Sequence, residues 1–289
     1  MIKHSELILN TDGSIFHLHL QPEQIADDII LVGDPGRVHM IGEFLSDIEF
    51  TISSREFTSL TGRYNSKRVT VISTGIGTDN IDIVVNELDA LANIDLKNRT
   101  IKQNHRMLNF IRIGTSGGLQ TYLPVNSYVI SEKSIGFDGL LNFYEGRNSI
   151  CDLEFEAAFK ENTGWLKELA SPYVVNCSEK LLKLISNDNT HNGVNISAPG
   201  FYGPQGRVLR LKLSNPELNS KIEKFEFKGH KITNFEMESS AIYGLSKLLG
   251  HNALTICLII ANRVTKQANE NYHDEMKKLV KLVLDRLTL

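Results

Sequence analysis

The chain has 289 residues, 41% hydrophobic and 22% charged, which is ordinary globular usage and enough apolar material for a sizeable core rather than a disordered chain. Its 31 basic and 34 acidic side chains leave a net charge of −3, which excludes a bulk polycation that binds nucleic acid by neutralising phosphates. Three separated cysteines without a C-x-x-C pair, Cys151, Cys177 and Cys257, indicate neither a disulfide framework nor a zinc knuckle and suit a reducing cytosol.

In chain order, the start MIKHSELILNTDGS lacks a signal-peptide apolar run, so a cytoplasmic protein is expected. Strands are expected at Ile29–Val32, Val69–Ser73, Phe110–Ile113, Tyr128–Ser131, Val194–Ser197 and Leu254–Ile260, several apolar throughout, as strands covered on both faces are. Ile81, Val84, Val85, Leu88 and Leu91 follow helical spacing. Ala241, Leu245, Leu248 and Leu249 mark a helix after Glu238 that stops at Gly250, and Glu275 to Leu289 makes a closing helix. The run from Ala253 to Ala261 is far too short to span a membrane. This alternation predicts an α/β fold, a single domain over 1–289 of three layers, with helices flanking a central mixed twisted sheet. Two segments read as insertions. Residues 97–106 (KNRTIKQNHR) form a basic patch without interleaved aromatics, read as a solvated loop rather than a nucleic-acid site. Residues 186–195 (SNDNTHNGVN) read as a turn-rich surface loop with no chemistry.

Five motifs could carry chemistry. Gly33-Asp34-Pro35-Gly36-Arg37 follows the first strand; it is either a phosphate loop, with backbone N–H groups and an arginine, or a tight turn with a surface arginine. Arg112 sits inside an apolar strand that ends in Gly114-Thr115-Ser116-Gly117-Gly118. A buried arginine needs an anion, either a bound phosphate or an internal carboxylate. Ser73-Thr74-Gly75-Ile76-Gly77 ends another strand and by itself means little beyond a strand-to-helix turn. Glu236-Met237-Glu238 stands at a strand-to-helix junction, as sugar-diol acceptors or as an acidic first turn. Phe201 to Arg207 (FYGPQGR) offers Gln205 and Arg207 to a pyrimidine edge, or is a glycine-rich turn.

Taken together, FHL (16–18), GDPGRV (33–38), SREF (54–57), STGIG (73–77), IRIGTSG (111–117), FYGPQGR (201–207), NFEMESS (234–240) and IIANR (259–263) resemble the nucleoside phosphorylase family, most of all its uridine phosphorylase branch. The resemblance implies that Gly33, Arg37, Arg112 and Thr115 hold phosphate, completed by Arg55 of a neighbouring subunit. It implies that Glu236, Met237 and Glu238 bind ribose, with His17 reaching across from the neighbour. Phe201, Gln205 and Arg207 would take the base, with Arg263 in support. Arg112, Arg37, Arg55, Glu238 and Arg207 would then carry the chemistry: phosphorolysis of uridine to uracil and ribose 1-phosphate. The partners implied are a small-molecule nucleoside and inorganic phosphate as co-substrate, with no metal, organic cofactor, nucleic acid or membrane. A homodimer would be the active unit, within a homohexamer.

The chain departs from the family pattern in three places. Segment 97–106 is longer, TKQANENYHDE (265–275) lacks the proline of the flap over the base, and the family's monovalent-cation triad reads Glu56, Ile76 and Asn80 instead of ending in serine. Against a purine nucleoside phosphorylase stands Ala261-Asn262-Arg263, where the purine branch has an acid. A hydrolytic nucleosidase has no use for three phosphate-directed arginines. A non-catalytic nucleoside-binding protein would be expected to lack one of the site's charged residues.

Overall fold

The computed structural model describes residues 1–289. One continuous run of strands organises the chain. In sequence order these are β1 (Asp28–Val32), β2 (Ser46–Ser54), β3 (Phe57–Tyr64), β4 (Lys67–Ser73), β5 (Asn109–Gly118), β6 (Tyr128–Gly136), β7 (Tyr173–Asn176), β8 (Thr190–Ser197), β9 (His230–Glu236) and β10 (Asn252–Asn262). Their spatial order is β9-β8-β6-β10-β5-β1-β4-β3-β2, with β7 beside β6. Parallel pairs (β1 with β4 and β5, β5 with β10, β8 with β6 and β9) mix with antiparallel ones, as expected for a mixed sheet.

The sheet also closes on itself. The end of β9 pairs antiparallel with the end of β5, Asn234 opposite Gly118 and Phe235 opposite Gly117, so β5, β10, β6, β8 and β9 form a small closed ring. Closure removes two free edges and brings the end of β5, with Arg112 behind it, against Glu236 at the end of β9.

The helices pack outside. Helix α1 (Pro35–Gly42) starts on Pro35, and the Asp34 side chain accepts from the Gly36 N–H at its N-terminus. The expected helix around Ile81–Leu91 is α2 (Thr78–Asn93); the one after Glu238 is α6 (Ser239–Leu248); the closing helix is α7 (His273–Leu287), burying Met276, Leu279, Val280, Val283, Leu284 and Leu287. Between them lie α3 (Leu153–Thr163), α4 (Glu179–Ile185) and α5 (Leu218–Lys224). All five residues of β1 are buried, which is why it reads as an unbroken apolar run. No helix is long and apolar enough to cross a membrane.

Two segments differ from expectation. The strand expected at Val194–Ser197 is present but starts four residues earlier: residues 190–193, read as surface loop, belong to it, because β8 is clamped between β6 and β9. In segment 97–106, Thr100–Ile101 pairs with Ile94–Asp95, and most of the segment's basic side chains are occupied. Arg99 donates to the Leu7 carbonyl, Lys102 to the Ala92 carbonyl and Arg106 to Asp27 and the Ile25 carbonyl. The insertion therefore ties the N-terminal segment to the end of α2.

Candidate active site

The strand ends converge on a cleft of about 790 Å³. From β1 and α1 it receives Gly33 and Arg37, from β5 Arg112 and Thr115, from the β9–α6 junction Glu236, Met237 and Glu238, and from the loop after β8 Phe201, Gln205 and Arg207. Ten of the sequence-derived residues thus line one cavity, most of them just past the end of a strand, the usual place for ligands in α/β sheets.

Arg112 is the electrostatic centre. It is 5% exposed. Its Nη2 is paired with Glu238 Oε2, and its Nη1 lies 3.6 Å from Glu236 Oε2. Burial by itself would lower the Arg112 pKa, but Glu238 and Glu236 outweigh it and keep the guanidinium charged. Arg112 was expected to hold phosphate; in the structure its anionic partners are these carboxylates, the internal pairing that its buried position left open. Its Nε has no hydrogen-bond partner in the protein. Below it, Nη1 contacts the Cys257 sulfur at 3.7 Å, and burial pushes that thiol up to about 12, so it stays neutral. Arg37 is buried beside Arg112, its Nη1 donating to the Ile113 carbonyl at 3.3 Å, and burial together with the Arg112 charge lowers its pKa.

Glu238 bridges two elements. Its Oε1 accepts from the Gly77 N–H at 2.7 Å while Oε2 faces Arg112. Burial raises its pKa and the Glu236 charge adds to this, against the opposing pull of Arg112. Gly77 is a site residue that the STGIG stretch left undefined. Its φ of 101° turns the amide toward a carboxylate 161 positions later, a partnership no local pattern announces.

At the base end, Arg207 Nη1 donates to Gln205 Oε1 and to the Phe201 carbonyl, both at 2.6 Å, and its guanidinium lies 3.8 Å from the centroid of the Phe201 ring. Arg263 does not line the cleft; it donates to the Gln205 carbonyl from behind and so braces the loop. Burial and the nearby Arg263 charge lower the Arg207 pKa.

His17 and Arg55 lie outside this subunit's cleft. His17 Nδ1 is 2.6 Å from Glu87 Oε1, and the Arg55 guanidinium covers the Phe16 ring at 5.5 Å. The β2–β3 turn carries Arg55 with a φ of 55° and puts its neighbour Glu56 into the cleft, which Ile76 and Asn80 also line. Elsewhere Asp89, His105 and His251 bring three donor atoms together. There His251 Nδ1 accepts from the Leu108 N–H at 3.1 Å, which leaves Nε2 protonated toward Asp89. A metal-ligating histidine needs the reverse, with its second nitrogen donating, so this trio is a hydrogen-bonded cluster.

The sequence model of the phosphorylase superfamily matches residues 27–288. A uridine phosphorylase of Thermococcus kodakarensis is 26% identical over 264 residues, 89% of this chain and 80% of that protein. A DeoD-type purine nucleoside phosphorylase of Listeria welshimeri is 26% identical over 84% of this chain and 85% of its own length. Among solved structures, a Trypanosoma brucei nucleoside phosphorylase described as showing uridine phosphorylase activity superposes with a TM-score of 0.88 at 29% identity, covering 97% of this chain and 99% of that one.

The charge pairing makes a stability prediction. Arg112→Ala leaves Glu238 buried without its partner and costs about 3–5 kcal/mol in urea unfolding. The double change Arg112→Met with Glu238→Gln costs clearly less than the single one, because the Glu238 charge goes with its partner and Glu236 keeps four hydrogen-bond donors of its own. A double variant as unstable as the two single losses added together would show that the pair is uncoupled.

Proposed function

The chain belongs to the phosphorylase superfamily, and from that premise we propose that it catalyses phosphorolysis of uridine to uracil and ribose 1-phosphate. The observation that carries the base assignment is the Gln205–Arg207 pair. Arg207 fixes Gln205 Oε1 at 2.6 Å yet leaves that oxygen a second lone pair, the Gln205 amide N–H groups and its own remaining N–H groups. Donor, acceptor and donor together complement the C=O, N–H, C=O edge of uracil. The six-membered edge of hypoxanthine has one C=O and fits this triplet less well.

In the proposed reaction, phosphate is held by Arg112, Arg37, Thr115 and the Gly33 backbone. A phosphate oxygen bonds to C1′ as the bond from C1′ to N1 of uracil breaks. The departing electron pair spreads over the uracil ring to its oxygens, where Arg207 and Gln205 donate. Positive charge that builds on the ribose lies between phosphate and Glu238. No step calls for a metal or an organic cofactor. Arg55 and His17 fall outside their own subunit's cleft, which supports a second copy as their donor and a dimer as the smallest active unit, within the homohexamer that the sequence resemblance implies. Free cysteines, two of them buried, suit the cytoplasm.

Base release from uridine and from inosine, each with and without phosphate, tests the reading. Uracil release that depends on phosphate, at least a hundredfold lower in Arg112→Ala and about 10–100-fold lower in kcat/KM for Gln205→Ala, is expected. Hypoxanthine release in preference to uracil would instead make the chain a purine nucleoside phosphorylase. Base release without phosphate would make it a hydrolase, and no turnover of either nucleoside would leave a binding protein.

The raised Glu238 pKa adds a pH dependence. Its charged form accepts the ribose hydroxyls, so activity is lost as pH falls through a value above the ordinary glutamate pKa of about 4.3. At saturating phosphate the acid limb of kcat/KM for uridine lies above that value, and Glu238→Gln, slow at every pH, lacks this limb.

A further inference from the structure

Glu236 and Glu238 differ in what they have left to offer. Glu236 Oε1 accepts from Asn195 Nδ2 at 2.6 Å and from the Ser197 hydroxyl. Its Oε2 accepts from the backbone N–H groups of Glu238 and Ser239 at 2.8 and 2.9 Å, at the start of α6. A carboxylate offers about four lone-pair sites, and here four donors fill them. Glu238 accepts only from Gly77 and Arg112, so each of its oxygens keeps a site for a hydroxyl.

The donors to Glu236 are themselves fixed. Strand β8 shifts register twice, at Gly193/Val194 against β6 and at Val194/Asn195 against β9, a bulge that redirects the Asn195 side chain. Gly193 permits it: a Cβ there would lie 2.2 Å from Thr233 Cγ2, and the Thr233 hydroxyl donates to the Val194 carbonyl at 3.0 Å. Ser197 Oγ also accepts from the Ser240 N–H at 2.9 Å, which locks it to α6. Asn195, Ser197, Ser239 and Ser240 are all fully buried.

We infer that Glu236 is a positioning residue, held by the Asn195–Ser197 pair from the β8 bulge, and that it sets the 236–239 turn so that Glu238 alone supplies the ribose carboxylate. The inference rests on the phosphorylase reading for its substrate and on the hydrogen bonds alone for its geometry. It gives chemistry to Asn195 and Ser197, which the sequence places in the Val194–Ser197 strand and at the end of the turn-rich 186–195 run without a role.

A donor–acceptor reversal tests it. Glu236→Gln sets an amide N–H₂ against two of the four donors, and Asn195→Asp sets a carboxylate against Glu236. Each single variant is expected to lose about a hundredfold in kcat/KM for uridine, the scale of a misplacement near 1 Å. In the double variant Glu236→Gln with Asn195→Asp, the amide at position 236 donates to the carboxylate at position 195 and still accepts from the two backbone N–H groups, and kcat/KM recovers to within about tenfold of wild type. A folded double variant as slow as Glu236→Gln would overturn the inference, since only a charge in direct contact with ribose resists that rescue. Asn195→Ala, the milder variant, is expected to lose kcat/KM while retaining its fold. If it loses melting temperature alone and kcat/KM stays within twofold, the network is structural and the positioning claim fails. If the wild-type protein releases no base from any nucleoside, the phosphorylase reading fails instead. The hydrogen-bond claim is then judged by melting temperature, which must fall in both single variants and return in the double.

Discussion

A permanently charged arginine in the middle of a buried strand is the constraint on which the rest of this structure depends. Arg112 lies on β5, between β1 and β10, opposite Leu31 and Thr255, and is almost fully buried. Such a charge is tolerated only if negative charge reaches it. The barrel closure between β5 and β9 delivers that charge, bringing the 236–238 turn over the guanidinium. The Gly77 N–H then orients Glu238 from the end of β4. Three strand ends are thus fastened together by one ionic cluster.

The same cluster explains why the cavity suits an anion followed by a sugar. Arg112 and Arg37 balance Glu236 and Glu238, so the site holds no large net charge of its own. In the proposed reaction an incoming phosphate shares Arg112 with Glu238, and a carboxylate released from part of that pairing is one that can turn to hydroxyl groups. At the far end, Arg207 and Gln205 are tethered to Phe201 and braced by Arg263, and together they present a polar edge to the cleft.

How much of this the sequence discloses follows from where each force acts. Strands β1, β4, β5 and β10 are readable because both faces are covered and their residues are apolar. Strand β2 is not, because it is largely exposed, and β3 is not, because its buried hydroxyl-bearing residues are satisfied by β4: Thr61 Oγ1 lies 2.8 Å from Thr70 Oγ1, and Ser73 Oγ accepts from the Thr58 N–H. Such residues look like loop in a one-dimensional pattern. The glycine and arginine motifs at strand ends are legible one by one and lie together in the cleft. The barrel closure is invisible, resting on two pairs far apart in sequence. Asn195 is hidden for a related reason: a bulge, not a period, aims it at Glu236. The Arg112–Glu238 pairing lies between these cases, since burial demands an anion without saying which one.

The central claim is that Glu238 and phosphate compete for Arg112, and phosphate affinity measured by calorimetry in the absence of nucleoside tests it most directly. If they compete, Glu238→Gln, which removes the rival negative charge and keeps the side chain's size, binds phosphate more tightly than wild type although it turns uridine over more slowly. Phosphate affinity unchanged or weakened by Glu238→Gln would contradict the account and place the anion away from the Arg112–Glu238 pair.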